Sequence, residues 1–240
     1  KMKLAILGYG KMGKTIEPIL IERGHEIPLK VNANNLEDLT LENLRKCDVA
    51  IEFTQPESAI DNYRLCFEAG IPVVSGTTGW LAHLDMVKEE MKDANGTLFY
   101  APNYSIGVNI FFKVNEFLAK LMNKQRSYDV ALEEIHHTQK LDSPSGTGIR
   151  TADIIIEALD HKTKWAENVK SAENELLIKV KREDNVPGTH IVEYISDVDK
   201  ISLGHTAFSR QGFALGAVLA AEFVLGKKGF YEMNDLLNFN

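Results

Sequence analysis

Cysteine is scarce in this sequence, with two in 240 residues, Cys47 and Cys66. Each sits in a stretch that reads as ordinary helix, which excludes a disulfide framework or a cysteine metal cage and points to a reduced, cytoplasmic setting. Basic charge is also in deficit, 27 Lys and Arg against 34 Asp and Glu, for a net charge of -7. Loose binding to nucleic acid or to anionic membranes needs clustered cations, so neither is expected as a partner and any anion site must be local. Long hydrophobic runs are missing too. The longest, Phe213 to Leu225, contains Glu222 and is too short to span a bilayer, so no membrane segment is expected. Internal repeats, low-complexity tracts and charge blocks do not occur. Met2 runs straight into Leu4-Ala5-Ile6-Leu7 without the charged, apolar and cleavable regions of a secretory leader, and Lys1 ahead of it reads as an addition to the natural start.

With 44% hydrophobic and 25% charged residues, the chain can bury one large core or two modest ones. Its first hundred residues alternate short β-like runs (3–7, 27–31, 48–53, 71–75 and 97–100) with helical patterns, the grammar of a parallel sheet with crossover helices. Gly24 and Gly70 close helices, and Pro56 suits a first turn. Pro18 falls inside the first helix and Pro28 inside the second strand, so a kink and an edge-like distortion are expected there. After Tyr104 the pattern changes to a long apolar helix (108–122), strands at 129–135, 176–182, 190–196 and 200–207, and a final helix at 213–225 with one apolar face. The fold class is therefore α/β: a Rossmann-type dinucleotide-binding domain from residues 1–105 and 211–240, plus a second α/β domain with a mixed β-sheet from 106–210.

Gly8-Tyr9-Gly10-Lys11-Met12-Gly13 follows a strand and opens a helix, the context in which such a turn cradles a pyrophosphate. On its own the spacing is weak. It gains weight because the other strands end in Asn32-Ala33-Asn34, Phe53-Thr54-Gln55-Pro56, Gly76-Thr77-Thr78-Gly79 and Ala101-Pro102-Asn103-Tyr104-Ser105, all at the carboxyl edge where open α/β sheets bind ligands. Asn32 holds the position that reads the adenosine ribose. An amide there carries no charge to repel a 2′-phosphate, and Lys11 and Lys30 lie near in sequence, so NADPH should be tolerated at least as well as by a relative with a carboxylate there.

The strand at 129–135 runs into His136-His137, with Lys140, Asp142, Pro144 and Ser145-Gly146-Thr147-Gly148 following before a helix. Imidazole and ammonium can deliver a proton near neutral pH, and amides at a helix amino terminus suit a carboxylate. A zinc site from His136, His137, His190 and His205 is the competing reading. Adjacent histidines seldom ligate one ion well, and no cysteine or carboxylate spacing supports it, so no metal is expected.

Residues 136–147, His-His-Thr-Gln-Lys-Leu-Asp-Ser-Pro-Ser-Gly-Thr, resemble the signature loop of the 4-hydroxy-tetrahydrodipicolinate (dihydrodipicolinate) reductase family. Gly8 to Gly13, Gly76 to Gly79, Ala101 to Ser105, and Ser209-Arg210 leading into Phe213 to Ala217 fall in family order. The resemblance implies hydride transfer from NADH or NADPH to a cyclic dicarboxylate imine, with His136 as general acid/base and Lys140 as proton donor. It implies substrate contacts from His137, Ser145, Gly146, Thr147 and Arg210. Coenzyme contacts would come from Gly8 to Gly13, Asn32, Phe53, Gly76, Thr77, Thr78 and Ala101 to Tyr104. It further implies a homotetramer built through the second domain's sheet, and domain closure during turnover. Asn32 departs from the family's acidic residue and Gly148 from its common alanine; the latter is expected to touch loop shape alone. Another amino-acid or amine dehydrogenase of this architecture, and a non-catalytic redox sensor, are the alternatives.

Overall fold

In the computed structural model, which describes residues 1–239, the chain divides into two units: Lys1–Ile106 with the chain from Gln211 onward, and Gly107–Arg210. The first is built on β1 (Lys3–Leu7), β2 (Glu26–Val31), β3 (Val49–Glu52), β4 (Val73–Ser75), β5 (Thr97–Tyr100) and β11 (Gly229–Tyr231), ordered β11-β5-β4-β3-β1-β2. Each pairing is parallel. A parallel sheet is covered on both faces, so its central strands are continuous apolar runs, and β3, β4 and β5 are buried throughout. One face packs Leu4, Ile6 and Ile51 against Ile16 and Leu20 of α1 (Lys11–Glu22) and against Ala214, Ala217, Val218 and Ala221 of α7 (Gln211–Val224). The other packs Ala5, Leu7 and Val73 against Tyr63, Cys66 and Phe67 of α3 (Pro56–Ala69) and Val87 and Met91 of α4 (Leu84–Asp93). Short helices α2 (Leu41–Leu44) and α8 (Met233–Leu237) complete this unit. Both cysteines are free and buried; burial pushes Cys47 up to about 11 and Cys66 higher still, so both are inert core thiols.

Pro28 lies on the edge strand β2, as its missing donor requires, and the pairing slips by one residue between Lys3/Glu26 and Ala5/Leu29. Pro18 does not break α1, which is continuous from Lys11 to Glu22.

The second unit contains α5 (Ile106–Met122, whose first residue belongs to the other unit), β6 (Asp129–His136), α6 (Gly146–Ala158), β7 (Lys164–Glu167), β8 (Glu175–Arg182), β9 (Gly188–Ile195) and β10 (Lys200–Ala207). Its sheet is mixed, ordered β10-β9-β6-β8-β7: β6, β8 and β7 run parallel, and β9 is antiparallel to β6 and β10. Val130 and Leu132, Leu176 and Ile178, and Val192 and Tyr194 face the helices, meeting Phe111 and Ala119 of α5 and Ala152 and Ile155 of α6. β7, β11 and α8 have no counterpart in the sequence reading. Segments of three to five residues are too short for a period to register.

Candidate active site

The turn after β1 is shaped by what its glycines must avoid. Gly8 has φ +92, and a Cβ on it would lie 1.9 Å from the Phe53 carbonyl oxygen. The Gly8 and Tyr9 amides both donate to the Val31 carbonyl, at 3.0 and 2.8 Å, drawing the turn against the end of β2. Gly13 rests on the Gly8 carbonyl and on Ile6, which sets α1 close to the sheet. Gly10 has nothing within 4 Å of its Cβ position; the α1 amino terminus carries no side-chain cap and no acidic residue in its first turn. Open amides, a helix dipole and a clear approach are what a pyrophosphate needs, so the residues present fit a dinucleotide. Lys11 and Gly10 are exposed, and Tyr9 and Met12 half-buried.

The neighbouring loops are tied together from below. Phe53 fills the space a side chain at Gly76 would take, its ring 2.1 Å from that Cβ position, and stands 5.8 Å from the Tyr104 ring. Tyr104 is itself buried and donates to the Ser75 carbonyl at 2.6 Å, so it braces the loop rather than facing outward. Asn103 accepts the Ser105 amide at 2.9 Å; Ala101 is buried, while Pro102 and Thr78 are exposed.

The sequence reading missed Glu52, fully buried at the end of β3. Its carboxylate accepts the Thr54 amide at 3.0 Å, Ser75 Oγ at 2.6 Å, Thr77 Oγ1 at 2.9 Å and the Thr54 hydroxyl. Thr77 Oγ1 in turn accepts the Thr54 amide at 2.9 Å. One carboxylate thus fixes the loops after β3 and β4 in register.

At the end of β2, Asn32 is committed to its own turn: Oδ1 accepts the Asn34 amide and its backbone amide donates to Asn35 Oδ1, each at 2.8 Å. Lys30 is not a free cation here. Its Nζ is 3.0 Å from Glu17 Oε1, Tyr9 donates to the same carboxylate, and Lys30 lies 5.1 Å over the Tyr9 ring. The Tyr9 hydroxyl and Lys30 hold Glu17 below its usual range.

In the second unit, β6 alternates strictly, so Val130, Leu132, Glu134 and His136 all point inward. His136 is the last residue of the strand, not the first of the loop, and is buried. The loop folds back so that Ser145 caps α6: its Oγ accepts the Gly148 amide at 2.9 Å. Lys140 pairs with Asp142 at 2.8 Å, and the Ser143–Pro144 bond is cis. Gly146 has open space at its Cβ position, and Thr147 and His137 are half-buried. Arg210, exposed beyond β10, is not drawn into this cluster by any contact seen among the described residues.

Beneath the loop sits a second acid that sequence reasoning overlooked. Glu134, fully buried, accepts the Ser145 amide at 3.0 and 3.1 Å and the Ser145 hydroxyl at 2.6 Å. His136 Nδ1 and His190 Nε2 each lie 3.7 Å from it, and Arg182 at 3.5 Å. Gly148 does more than shape the loop, since a Cβ there would lie 2.1 Å from Glu134 Oε2. Burial alone would raise the Glu134 carboxyl, but His190 and Ser145 outweigh it and hold the group low. Burial first, then His190, push His136 below its ordinary range, with Lys140 and Arg182 adding to the effect and Glu134 opposing it. Glu134, His136 and His190 are donor types that a divalent ion accepts, with ligand atoms within 4.8 Å of one another. The carboxylate is already occupied by Ser145 and faced by a guanidinium, which opposes a further cation.

Models of the dihydrodipicolinate reductase amino- and carboxyl-terminal regions match residues 2–104 and 107–237. The chain belongs to the dihydrodipicolinate reductase family. Its relatives in this family include the 4-hydroxy-tetrahydrodipicolinate reductase of Christiangramia forsetii, 48% identical over 99% of this chain and 98% of that protein. The family member from Methanosarcina mazei is 35% identical over 98% and 88%. Among solved structures, a dipicolinate-bound dihydrodipicolinate reductase from Paenisporosarcina sp. TG-14 has the same fold: TM-score 0.80, 24% identity, 96% and 97% of the two chains covered. The fold reaches beyond the family, since an amine dehydrogenase from Mycobacterium smegmatis superposes with a TM-score of 0.58 at 13% identity over 96% and 94%. Architecture therefore does not separate these enzymes, whereas family membership does.

Proposed function

We propose that the chain reduces 4-hydroxy-tetrahydrodipicolinate to tetrahydrodipicolinate with NADH or NADPH, a step of lysine and diaminopimelate biosynthesis, and that the end of β6 with the α6 amino terminus is its substrate site. The carrying observation is the convergence on one short segment of a buried imidazole, a loop ammonium and a capped helix amino terminus.

When bound, the nicotinamide supplies a hydride. Gly8, Tyr9, Gly10, Lys11, Met12 and Gly13 would hold the pyrophosphate at the α1 amino terminus, with Asn32 toward the ribose. Phe53, Gly76, Thr77, Thr78 and Ala101 to Tyr104 form or brace the remaining coenzyme loops. Gly146 and Thr147 present amides to a substrate carboxylate at the helix start that Ser145 caps, with Ser145 itself, His137 and Arg210 as the further residues of the substrate site. His136, held neutral by burial and cationic neighbours, gains a reason to protonate when a dianion arrives beside it, because the incoming charges offset those neighbours. It then serves as general acid/base, and Lys140 as proton donor, at the centre that becomes electron-rich on reduction. Self-association as a homotetramer and a cytoplasmic location complete the reading. No described helix is long and apolar enough to cross a membrane.

The direct test supplies aspartate semialdehyde and pyruvate through a coupling synthase and follows NADH and NADPH oxidation; no substrate-dependent oxidation with either refutes the reductase assignment. His136→Gln and Lys140→Ala should each lower kcat or kcat/KM by on the order of a hundredfold while coenzyme affinity is unchanged. Near-normal turnover in both would reduce them to positioning groups.

A further inference from the structure

The Ser145 hydroxyl has one proton and several neighbours, and the bookkeeping of that proton is informative. Glu134, held ionised, has no proton to give, and its Oε2 lies 2.6 Å from Ser145 Oγ, so the serine donates to it. Ser145 Oγ must then accept from the Gly148 amide at 2.9 Å and from His190 Nε2 at 3.1 Å. That fixes His190 with its proton on Nε2. Arg182, 3.5 Å from the other carboxylate oxygen, also donates to the Asp142 carbonyl at 2.8 Å, linking the same carboxylate to the loop that carries Lys140.

His136 is the one ring in the cluster left with unfinished business. Its Nδ1 is buried without a hydrogen-bond partner among the described residues, and Glu134 Oε1 lies 3.7 Å from it. A movement of less than an ångström by either group closes that gap to a hydrogen bond. On its opposite edge, Nε2 lies 3.1 Å from the Cβ position of Gly188, so a side chain at 188 would crowd the nitrogen that remains for substrate. The charged groups that act most on the ring are Glu134 from β6 itself, His190 from β9, Lys140 from the loop, where it is paired with Asp142, and Arg182 from β8; among these four Glu134 is the anion.

We propose that Glu134 is the positioning residue of the substrate site, acting through two partners: it holds Ser145 so that the α6 amino terminus is formed for a substrate carboxylate, and it accepts a hydrogen bond from the Nδ1–H of His136 so that Nε2 faces the reaction. This rests on the assignment of His136 as the proton-handling group. It predicts that cradle and proton source are set by one carboxylate, so that disturbing it changes KM and kcat together. Removing the anion also lowers the affinity of His136 for a proton in the substrate complex, so the protonated fraction is lost at a lower pH.

Glu134→Gln preserves shape and an acceptor for the Ser145 amide but removes the charge; Ser145→Ala removes the cap and the hydroxyl's bonds to Glu134 and His190 but leaves the carboxylate charge beside His136. For folded Glu134→Gln with unaltered NADPH affinity, we expect kcat to fall by about tenfold or more. The alkaline limb of the kcat–pH profile should move acidward by about one unit. Substrate KM should rise in both variants, and in Ser145→Ala the limb should stay in place. A Glu134→Gln enzyme whose limb or KM is unmoved overturns the proposal. If Glu134→Gln fails to fold, Glu134→Asp, which shortens the reach but keeps the charge, should raise KM with the limb unmoved, and a wild-type KM overturns the proposal in that case. If His136→Gln abolishes the limb while Glu134→Gln leaves it in place, the Glu134 role alone fails; if His136→Gln turns over normally, the proton assignment fails and takes this inference with it.

Discussion

Glu52 shows how much a single buried carboxylate can organise. It accepts from a backbone amide and three hydroxyls at the ends of β3 and β4 and in the loops after them, and of those donors the Thr54 amide alone is also shared with Thr77 Oγ1. Glu52→Gln should lower stability by about 1–3 kcal/mol. It should also weaken NADPH binding severalfold, read by coenzyme fluorescence titration, with little effect on kcat at saturating coenzyme. Asn32 makes a different prediction. With an amide in place of a carboxylate at Asn32, and that amide turned into its own loop, a 2′-phosphate meets no charge at this position. Glu17 offsets Lys30, which leaves Lys11 as the exposed cation of the turn. The enzyme should therefore use NADPH, and a preference for NADH above about a hundredfold in kcat/KM, roughly 2.7 kcal/mol, would contradict this. The residues proposed to carry the chemistry, His136 at the end of β6 and Lys140 and Ser145 in the loop after it, were legible because imidazole, ammonium and a helix cap stand out against polar surroundings. Glu52 and Glu134 were not, since each lies in an apolar strand and reads as the strand's polar margin. The signal that finds them is phase: Glu134 falls on the inward side of the alternation with Val130 and Leu132, where an acid needs partners.

At the scale of elements, the parallel strands and long helices were recovered within two residues in most places, because a wholly apolar run or a 3.6-residue stripe survives any tertiary context. Pro28 was read correctly as an edge signal. Pro18, where a kink was expected, leaves α1 continuous, since a helix packed against the sheet can absorb one missing donor. What could not be read from periodicity was close approach between elements. Gly216 in α7 is such a case: a Cβ there would lie 1.8 Å from the Tyr104 carbonyl oxygen, so α7 is pressed directly onto the loop after β5. Gly216→Ala, ordinarily favourable in a helix, should instead cost about 1–3 kcal/mol. A melting curve matching wild type would show that α7 sits further from this loop.

For the molecule as a whole, β10 is an edge strand of the second unit's sheet, and Ile195, Ile201 and Phe208 on or beside it are exposed. Edges of this kind need cover, which supports assembly through this sheet. Light scattering should give four times the chain mass, and Ile201→Lys should lower it; a monomeric wild type at micromolar concentration would remove the tetramer from the proposal.

The division of the chain also has a consequence for synthesis. The first unit's sheet and core are finished by residues made after the second unit: β11 pairs with β5, Thr97 donates to the Lys227 carbonyl across 130 positions, and α7 supplies much of one buried layer. The second unit is contiguous and emerges complete before them. The internal segment is thus free to fold first, while the amino-terminal strands wait, with one face of their sheet covered by α1 alone, for α7 to arrive.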